Sequence, residues 1–565
     1  MRRSGSLLSA CGGRVGRFIR EVATEPREIE IGPRDAEMPA PTAKKPPALH
    51  AFTGRDMPWL VDAQARARGD RPYLIWESFE APARTWSYAE FADETRAYAA
   101  GLADAGVRAG QFVLLHMENC PEFLFVWHAC ARLGAVVVTT NARSTADELG
   151  YFAGRCGARF ALTQPKFVDL VRRLDHDFRW IAATDTDSGR HAAAPLPPGV
   201  LRLEDLRGDP RAAPVRPVDP MAPNSVQFTS GTTSRPKGVI WTQANALWAA
   251  RTMASRLELT QNDRGIVHFP LFHTNALAYS MLSTLWAGAS AVLMPRFAAS
   301  RFWDVSIRHG CTWASMLEFP LRAMLAQPDP PRHSYRVWAL AGDLAAPRNR
   351  WGIRTTGWYG MTETVAACIA SEQGFVGPEG AMGRACPDYE ISIRRDDGSE
   401  ADFGEIARLH IRGVPGLSLF YEYLDDPDAT AASFDADGWF DTGDEVVARP
   451  EGDIFLVGRA KDMLRVGGEN VAALEIETVV ASVPGVVECA VVGKPDDMLD
   501  EVAVAFVVAG APSPSLARSI MAACEEKLSA FKRPRQVRFI DELPTGVLGK
   551  VLKRTLREMA RSDQQ

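Results

Sequence analysis

The feature that most constrains the fold is a pair of apolar runs on either side of a helix-length segment. Residues 111–117 (QFVLLHM) and 135–140 (AVVVTT) are apolar without alternation, and residues 121–134 (PEFLFVWHACARLG) lie between them. Strands that are buried on both faces of a parallel sheet have this appearance. A second strand–helix–strand unit follows at residues 266–295. The sequence therefore predicts an α/β fold built on parallel sheets.

The length of the chain predicts more than one domain. Its 565 residues exceed what one hydrophobic core usually organises. Past residue 385 short strands alternate with Gly, Asp and Pro, which predicts a β-rich subdomain at residues 385–460 within an N-terminal domain at 49–460. A compact α+β unit is predicted at residues 461–565. Residues 1–48, which are proline-rich after an arginine-rich start, are predicted to be a disordered extension.

Composition and charge argue against several classes of protein. The formal net charge is -6 at pH 7, and no face rich in Lys and Arg is apparent, which disfavours nucleic-acid binding. No apolar run reaches the length of about 18 residues that is needed to span a membrane. The nine cysteines are scattered without metal-ligand spacing, which is typical of free thiols in a reducing compartment. The thiols therefore indicate a cytoplasmic protein.

One loop has the composition of a phosphate-binding site. Residues 228–239 (FTSGTTSRPKGV) contain five hydroxyl side chains, two glycines and one lysine. Hydroxyl and backbone N–H donors in a concave loop suit phosphate oxygens. A Walker A loop has glycine before its lysine and Ser or Thr after it, whereas here Pro236 precedes Lys237 and Gly238 follows. The sequence therefore predicts a phosphate-binding loop of another kind.

This loop resembles the phosphate loop of the adenylate-forming (ANL) superfamily, which includes acyl-CoA synthetases, peptide-synthetase adenylation domains and luciferases. Further stretches resemble the other motifs of the superfamily, in the same order: 359–364 (YGMTET), 438–444 (GWFDTGD), 458–462 with 467–470 (GRAKD and GGEN), and 544–553 (PTGVLGKVLK). The resemblance covers essentially the whole predicted folded region. It implies a large N-terminal domain of parallel-sheet α/β layers with a small β-barrel subdomain, and a small, mobile C-terminal α+β domain that acts as a lid.

The resemblance also implies an acid–CoA ligase that uses ATP, Mg²⁺ and coenzyme A. A carboxylate cannot react with a thiol at neutral pH because its leaving group would be oxide. Coupling the acid to AMP supplies a good leaving group, and pyrophosphate is released. The activated acyl group is then transferred to CoA. The partners implied are therefore a small carboxylic acid, ATP and CoA, and the oligomeric state stays open, a homodimer included.

Three residues are implied in the chemistry of adenylation. Lys550 would bridge the acid and the α-phosphate, Thr362 would donate to the α-phosphate, and Glu363 would bind Mg²⁺. A larger set would hold the nucleotide: Thr229, Ser230, Gly231, Thr232, Thr233 and Lys237 at the phosphates, Asp444 and Arg459 at the ribose, and Tyr359 from the second motif.

Four residues are implied in the later steps. Lys461 falls at the hinge on which the C-terminal domain swings. Gly467 and Gly468 would let pantetheine approach closely, because a side chain there would obstruct it. His273, in FPLFHTNAL, falls near the acyl pocket, where it would gate the pocket or contact the acid. A buried structural histidine is the alternative interpretation.

Within the superfamily, residues 229–238, 411–444 and 464–477 resemble crotonobetaine/carnitine-CoA ligases. A trimethylammonium substrate would require an aromatic box or a carboxylate, and three tryptophans cluster along the relevant segment: Trp338, Trp351 and Trp358. The sequence leaves this assignment open, since the segment before the YGMTE motif is shorter than in relatives.

Two other classes of function remain as alternatives. An adenylating enzyme of specialised metabolism that passes its activated acid to an amine, or that activates nitrite for diazotisation, would carry the same adenylation motifs, because only the acceptor differs. A non-catalytic binding protein on this scaffold would be expected to lose Lys550 or Glu363, and both are present.

Overall fold

The strand–helix–strand pattern forms as predicted. In the computed structural model, strands Phe112–His116 and Val136–Thr139 pair in parallel, and helix Pro121–Leu133 connects them. Pro121 lies in the first turn of the helix, where its missing N–H is not needed. Gly134 ends the helix with a φ of 74°, a left-handed conformation that glycine adopts without steric penalty.

The structure describes residues 49–187, 190–191, 195–229, 236–372, 374–459, 463–544, 551 and 553–562. The extension predicted at residues 1–48 lies outside them. The domain boundaries predicted at residues 49–460 and 461–565 stay predictions.

Two large sheets form most of the N-terminal domain. The nine-stranded sheet has the spatial order Arg384–Ala385, Ile369–Ala370, Arg354–Tyr359, Val337–Leu340, Trp313–Ser315, Arg264–Val267, Ser290–Leu293, Pro72–Trp76 and Arg84–Ser87. The eight-stranded sheet has the order Glu422–Tyr423, Lys237–Thr242, Pro223–Thr229, Val136–Thr139, Phe112–His116, Phe160–Thr163, Trp180–Ala183 and Val200–Arg202. The interior neighbours of both sheets are parallel, and antiparallel strands lie towards the edges.

The largest hydrophobic core lies between these two sheets. It joins Leu74 and Val267 of the nine-stranded sheet to Val113 and Val137 of the eight-stranded sheet through the buried helix Pro121–Leu133. Separate clusters cover the outer faces of the two sheets. Both sheets are therefore covered on both faces, as their unbroken apolar strands predicted.

Smaller sheets follow along the chain. The predicted β-rich subdomain contains four antiparallel strands in the order Glu390–Arg394, Ile406–Arg412, Trp439–Ala448 and Ile454–Arg459. The C-terminal domain has a five-stranded sheet in which Glu469–Ala472, Met463–Val466, Asp500–Ala509 and Val486–Asp496 are neighbours and Gln536–Phe539 pairs with Asp500–Ala509. A short hairpin joins Thr186–Asp187 to Arg190–His191. The chain is thus a mixed α/β protein with a large N-terminal and a small C-terminal domain.

The remaining elements are helices. The α-helices are Met57–Arg68, Tyr88–Asp104, Pro121–Leu133, Ala146–Cys156, Val168–Arg172, Gln243–Arg256, Ser283–Ala287, Ala299–His309, Glu318–Leu325, Ala345–Trp351, Pro427–Ala432, Ala473–Ala481, Pro514–Lys527 and Lys553–Arg561. Asn275–Leu282 is a π-helix. The 3₁₀ turns are Pro165–Phe167, Leu203–Leu206, Pro210–Ala212 and Ala530–Lys532.

Candidate active site

The predicted phosphate loop joins two paired strands. Pro223–Thr229 and Lys237–Thr242 are antiparallel neighbours, and their register sets Thr229 opposite Lys237. The turn between them contains residues that lie outside the described ones: Ser230, Gly231, Thr232 and Thr233. The Lys237 ammonium lies 4.5 Å from the ring centre of Tyr423, a favourable position for a cation. The hairpin thus fixes a hydroxyl and a cation at the two ends of the loop.

Glu363 lies beside the strand that enters this loop. It is only 4% exposed, and its Oε1 accepts hydrogen bonds from the Tyr423 hydroxyl at 3.1 Å and the Thr229 hydroxyl at 3.5 Å. The Glu363 carbonyl accepts the N–H of Phe420 at 2.8 Å. Hydrogen bonds to the backbone of Glu363 and to one of its carboxylate oxygens therefore hold this side chain in place.

Thr362 is connected to the same strand at Gln227, two residues before Thr229. The Thr274 hydroxyl donates to Oε1 of Gln227 at 2.8 Å and lies 3.3 Å from the Thr362 hydroxyl. Trp241 Nε1 donates to the Thr362 carbonyl at 2.8 Å. Gln227 and Thr229 lie on one face of their strand, since side chains alternate along it. One strand face therefore positions both Thr362 and Glu363.

Nε2 of Gln227 has no hydrogen-bond partner within the described part of the chain, and Gln227 is buried. Sequence reasoning missed Gln227, Thr274 and Tyr423, because each acts on a motif residue that is distant along the chain. The only local signal for Gln227 was a polar residue between the apolar residues Val226 and Phe228.

The second predicted cluster surrounds Asp444. The Tyr359 hydroxyl donates to Oδ2 of Asp444 at 2.6 Å, and both residues are buried. The Asp444 N–H donates to the Thr442 hydroxyl at 3.1 Å. Arg459 is the cross-strand partner of Asp444 in the sheet register. The YGMTE and GWFDTGD motifs are therefore joined by a direct hydrogen bond between their side chains.

Gly360, between Tyr359 and the Thr362–Glu363 pair, has a steric role. A Cβ atom at this position would lie 2.4 Å from the hydroxyl oxygen of Tyr279, so only glycine allows that approach. Tyr279 lies on the π-helix Asn275–Leu282 and packs edge-on against Trp358 at 5.4 Å between ring centres. π-helices occur frequently at functional sites; the sequence pattern predicted a helix within residues 266–295 but not its π form.

His273 links the two domains. Its Nε2 lies 2.8 Å from Oε2 of Glu469, which follows the GG pair of the GGEN motif. The His273 side chain is 44% exposed, so the alternative of a buried structural histidine is wrong. Burial alone would raise the pKa of Glu469, but the charge and hydrogen bond of His273, with the charges of Arg143 and Lys532, lower it below its ordinary value.

Gly467 and Gly468 precede Glu469 and both have left-handed backbones, with φ values of 59° and 82°. A Cβ atom on Gly468 would lie 3.6 Å from Leu317 of the N-terminal domain. The glycine loop therefore reaches the surface of the large domain beside His273 and close to the π-helix that follows it.

Three further predicted site residues lie wholly or partly outside the described residues. Lys550 and Lys461 lie outside the described residues, and for Arg459 only the backbone is described. Their roles stay predictions. Lys553, three residues after Lys550, is 18% exposed at its side chain and pairs with Glu477 at 2.7 Å.

The three tryptophans considered as an aromatic box do not form one. Trp338 is fully buried and lies 5.4 Å from Trp351 between ring centres, within the cluster that covers the outer face of the nine-stranded sheet. Trp358 belongs instead to the core between the sheets. Adjacent parallel strands carry Trp338 and Trp358 in registers that point to opposite faces. Trp338 is therefore a core residue, and Trp351 packs, partly buried, against the edge of the same cluster.

The donor set fits Mg²⁺ bound largely by phosphate. The described residues contain no group of three or more His, Cys, Asp or Glu side chains that could hold a metal ion. Mg²⁺ at nucleotide sites is usually held by one or two carboxylates together with phosphate and water oxygens, and Glu363 offers one such carboxylate beside Thr229.

Among the described helices, none is long and apolar enough to cross a membrane.

Comparisons with known proteins agree with this geometry. Residues 61–424 match the AMP-binding enzyme family, and residues 475–550 match the AMP-binding enzyme C-terminal domain. Crotonobetaine/carnitine–CoA ligase of Proteus mirabilis (strain HI4320) is 32% identical over 511 residues, which is 88% of this chain and 98% of that protein.

Two solved structures of one synthetase match to different degrees. A double mutant of o-succinylbenzoate CoA synthetase (MenE) from Bacillus subtilis, bound with its product analogue OSB-NCoA, matches with a TM-score of 0.75 and 26% identity, covering 88% of this chain and 98% of that chain. The same synthetase in complex with ATP and magnesium ion matches with a TM-score of 0.61 and 26% identity, covering 88% and 98%. The described arrangement is therefore more similar to the complex with the CoA product analogue.

Proposed function

The chain belongs to the AMP-binding enzyme family of the adenylate-forming superfamily, and on that premise we propose that it activates a small carboxylic acid as acyl-AMP and transfers the acyl group to coenzyme A. Enzymes of this class are AMP-forming acid–thiol ligases that use ATP, Mg²⁺ and CoA. The observation that carries the proposal is the convergence of Thr229, Thr362 and Glu363 at the end of one strand, next to the Tyr359–Asp444 pair.

In the first half-reaction a carboxylate oxygen of the acid attacks the α-phosphorus of ATP. The bond from this phosphorus to the bridging oxygen breaks, and pyrophosphate leaves. Negative groups meet in this step, so pre-aligned donors and cations contribute more than proton transfer. Thr362 and Lys550 would donate to the reacting groups. Mg²⁺, held by Glu363, would neutralise charge on the phosphate oxygens.

The nucleotide would be oriented from its ribose. Asp444 is a buried carboxylate whose position is fixed by Tyr359, and a carboxylate can accept from both ribose hydroxyls. Lys237 and the hydroxyls of residues 229–233 would hold the phosphates. With the ribose and the phosphates held in these places, the acid would enter from the side of the π-helix Asn275–Leu282, where Tyr279 and Gly360 meet.

In the second half-reaction the CoA sulfur attacks the acyl carbonyl carbon, AMP leaves with the oxygen that joined it to the acyl group, and the thiol proton is released. The pantetheine arm would pass the backbone of Gly467 and Gly468. The position of this loop beside His273 supports the proposal that the described arrangement of the domains is the one that accepts CoA. The higher TM-score to the complex with a CoA product analogue supports it independently.

The acceptor proposed is CoA rather than an amine, because a relative that matches over nearly its whole length is named as a CoA ligase. The identity of the acid is left to experiment. Trp338 and Trp358 lie in core clusters and Trp351 packs against the edge of one, so these tryptophans give no special support to a betaine acid.

An ATP–pyrophosphate exchange screen tests the proposal. Short aliphatic, aromatic, betaine-type and inorganic acids would be assayed with and without CoA, and acyl-AMP and acyl-CoA would be identified by mass spectrometry. We expect exchange with at least one carboxylic acid in the absence of CoA, and its thioester when CoA is added. Exchange without a thioester from any acid would contradict the CoA acceptor, and no exchange with any acid would contradict adenylation itself.

We also propose that the protein acts in the cytoplasm. The eight described cysteines are free thiols, and seven of them are buried, which suits a reducing compartment. Recovery of the protein in a membrane or secreted fraction of its host cells would contradict this location.

A further inference from the structure

A buried lysine joins the two domains at a second point. Lys532 lies in the 3₁₀ turn Ala530–Lys532 of the C-terminal domain and is 8% exposed. Its ammonium donates to Oε1 of Glu148 at 2.6 Å and to Oε1 of Glu475 at 2.9 Å. Glu148 belongs to the large domain and Glu475 to the small one. One ammonium therefore bridges a carboxylate from each domain.

The large-domain end of this bridge is built into a helix start. Glu148 is the capping-box residue of helix Ala146–Cys156, and its Oε2 accepts the N–H of Thr145 at 2.8 Å. The same oxygen accepts the hydroxyl of Ser529 from the small domain at 2.6 Å. Both oxygens of Glu148 are thus used, so its position is fixed by its own helix and by the partner domain together.

The charges make the bridge costly to break. Burial alone would lower the pKa of Lys532, but the two carboxylates raise it above its ordinary value. Burial raises the pKa of Glu475, and the Lys532 charge partly opposes this. Removing the ammonium would leave two buried carboxylates without their shared cation, a strongly unfavourable arrangement. Because Glu148 belongs to the other domain, all three charged groups meet only while the domains stay in this relative position.

The bridge is continuous with the glycine loop. Strand Glu469–Ala472 leads directly into helix Ala473–Ala481, which carries Glu475. Fixing Glu475 against the large domain thereby fixes the segment that contains Gly467 and Gly468 beside His273. Lys532 also acts on Glu469 directly, because its charge contributes to lowering the pKa of that carboxyl.

We propose that Lys532 is a positioning residue for thioester formation: together with Glu148, Glu475 and Ser529 it holds the C-terminal domain with the glycine loop at the candidate acyl site. This inference rests on the proposed function for its catalytic consequence. It concerns a contact between domains and not a group that touches the substrate. Adenylation, which needs the lysine of the C-terminal motif to reach the site, would proceed in another arrangement and would not require the bridge.

The test compares Lys532→Met, which keeps an unbranched side chain, one atom shorter, and removes the charge, with wild type and with Lys527→Met. Lys527 is an exposed lysine five residues earlier in the same region. Single-turnover transfer from supplied acyl-AMP to CoA is expected to slow on the order of 10- to 100-fold in Lys532→Met. Pyrophosphate exchange is expected to change less than about threefold, and Lys527→Met is expected to match wild type in both assays.

Two further variants separate positioning from general damage. Lys532→Arg keeps a cation that can reach two carboxylates and is expected to restore much of the transfer rate. Glu148→Gln weakens the bridge from the large domain and leaves Lys532 paired with Glu475. This variant replaces Lys532→Met in both assays if Lys532→Met does not fold. An unchanged ratio of the two half-reactions in folded Lys532→Met or Glu148→Gln would overturn the proposal.

Hydrogen exchange measured by mass spectrometry provides a readout that does not depend on activity. Amides of residues 463–472 are expected to exchange faster in Lys532→Met than in wild type or Lys527→Met, in the absence of ligands. Equal exchange in all three would overturn the proposal even if the enzyme forms thioesters. If no acid supports pyrophosphate exchange by the wild type, the proposed function fails, and hydrogen exchange still decides whether Lys532 holds the loop.

Discussion

The nucleotide end of the candidate site and the interface between the domains are built in different ways. At the nucleotide end, hydrogen bonds from one strand face reach Thr362 and Glu363, and all these residues belong to the large domain. At the interface, charged pairs join segments of two domains, as in His273–Glu469 and Lys532–Glu148. Polar interfaces between domains permit relative motion more readily than apolar ones. We therefore expect the large domain to supply a fixed nucleotide site and the small domain to exchange positions over it.

The largest effect is expected for Lys550→Ala, which tests whether the small domain supplies a cation to adenylation. Pyrophosphate exchange should fall about 10²–10³-fold or more, the scale of a lost transition-state donor. Transfer from supplied acyl-AMP to CoA should largely survive. The control is Lys553→Ala, because Lys553 pairs with Glu477 inside the small domain. Equal loss in both half-reactions would show that Lys550 does not have this role.

Glu363→Gln tests the nucleotide end of the candidate site. Without the carboxylate, Mg²⁺ loses its proposed protein ligand, so pyrophosphate exchange should fall on the order of 10²-fold and should require more Mg²⁺ for half-maximal rate. Mg²⁺ titrations of exchange measure both effects. Glu372→Gln, at an exposed position, is the matched control. An unchanged Mg²⁺ requirement in Glu363→Gln would argue that Glu363 does not hold the metal.

Glu469→Gln tests the interface. Loss of the charge that faces His273 should slow transfer to CoA roughly tenfold, as expected for one charge-assisted hydrogen bond, and should leave pyrophosphate exchange nearly unchanged. Single-turnover assays with supplied acyl-AMP measure the first effect. Glu488→Gln, at an exposed position in the same domain, is the control. Slower pyrophosphate exchange in Glu469→Gln than in Glu488→Gln would contradict the proposal that Glu469 acts only in transfer to CoA.

The same variant makes a prediction about pH. The pKa of Glu469 is lowered in the folded protein from an ordinary value of 4.5. Ionised Glu469 therefore stabilises the folded protein at pH values above 4.5, and this stabilisation is lost as the pH falls through the folded pKa. The stability advantage of wild type over Glu469→Gln should therefore be full near neutral pH and should shrink in acid. Thermal unfolding of both proteins across this range measures it. An advantage that grew on acidification would have the wrong sign.

The smallest effect is expected for Tyr423→Phe. The substitution removes the hydroxyl that donates to Glu363 at 3.1 Å and keeps the ring that faces Lys237. Because Thr229 still donates to the same oxygen, the loss is expected at the low end for an intramolecular hydrogen bond, about 0.5–1 kcal/mol, so pyrophosphate exchange should fall by roughly two- to fivefold. Tyr421→Phe is the control. No change in exchange would mean that Thr229 and the backbone position Glu363 without Tyr423.

The parallel sheets were predictable from the sequence, because unbroken apolar strands on either side of a helix form a local pattern. The loop after Thr229 was predicted to bind phosphate, and that role stays a prediction. Side chains that act over long separations were not predictable in this way. Lys532 is 384 residues from Glu148 and Thr274 is 47 residues from Gln227, so only the folded structure pairs them.

The tryptophans illustrate a different limit. Their spacing along the chain indicated a cluster, and Trp338 and Trp351 do pack together. Which face of the sheet they occupy depends on strand register, and a shift of one residue reverses it. A residue type that could recognise an ammonium group was therefore found in the core, where it stabilises the fold.

Lys550→Ala and Glu469→Gln, measured side by side in both half-reactions, provide the most direct test. We expect a crossed result: Lys550→Ala loses pyrophosphate exchange and largely keeps transfer from acyl-AMP to CoA, whereas Glu469→Gln keeps exchange and transfers more slowly. If the two variants lost both half-reactions in the same proportion, the division of chemistry between a fixed nucleotide site and an exchangeable domain interface would be contradicted.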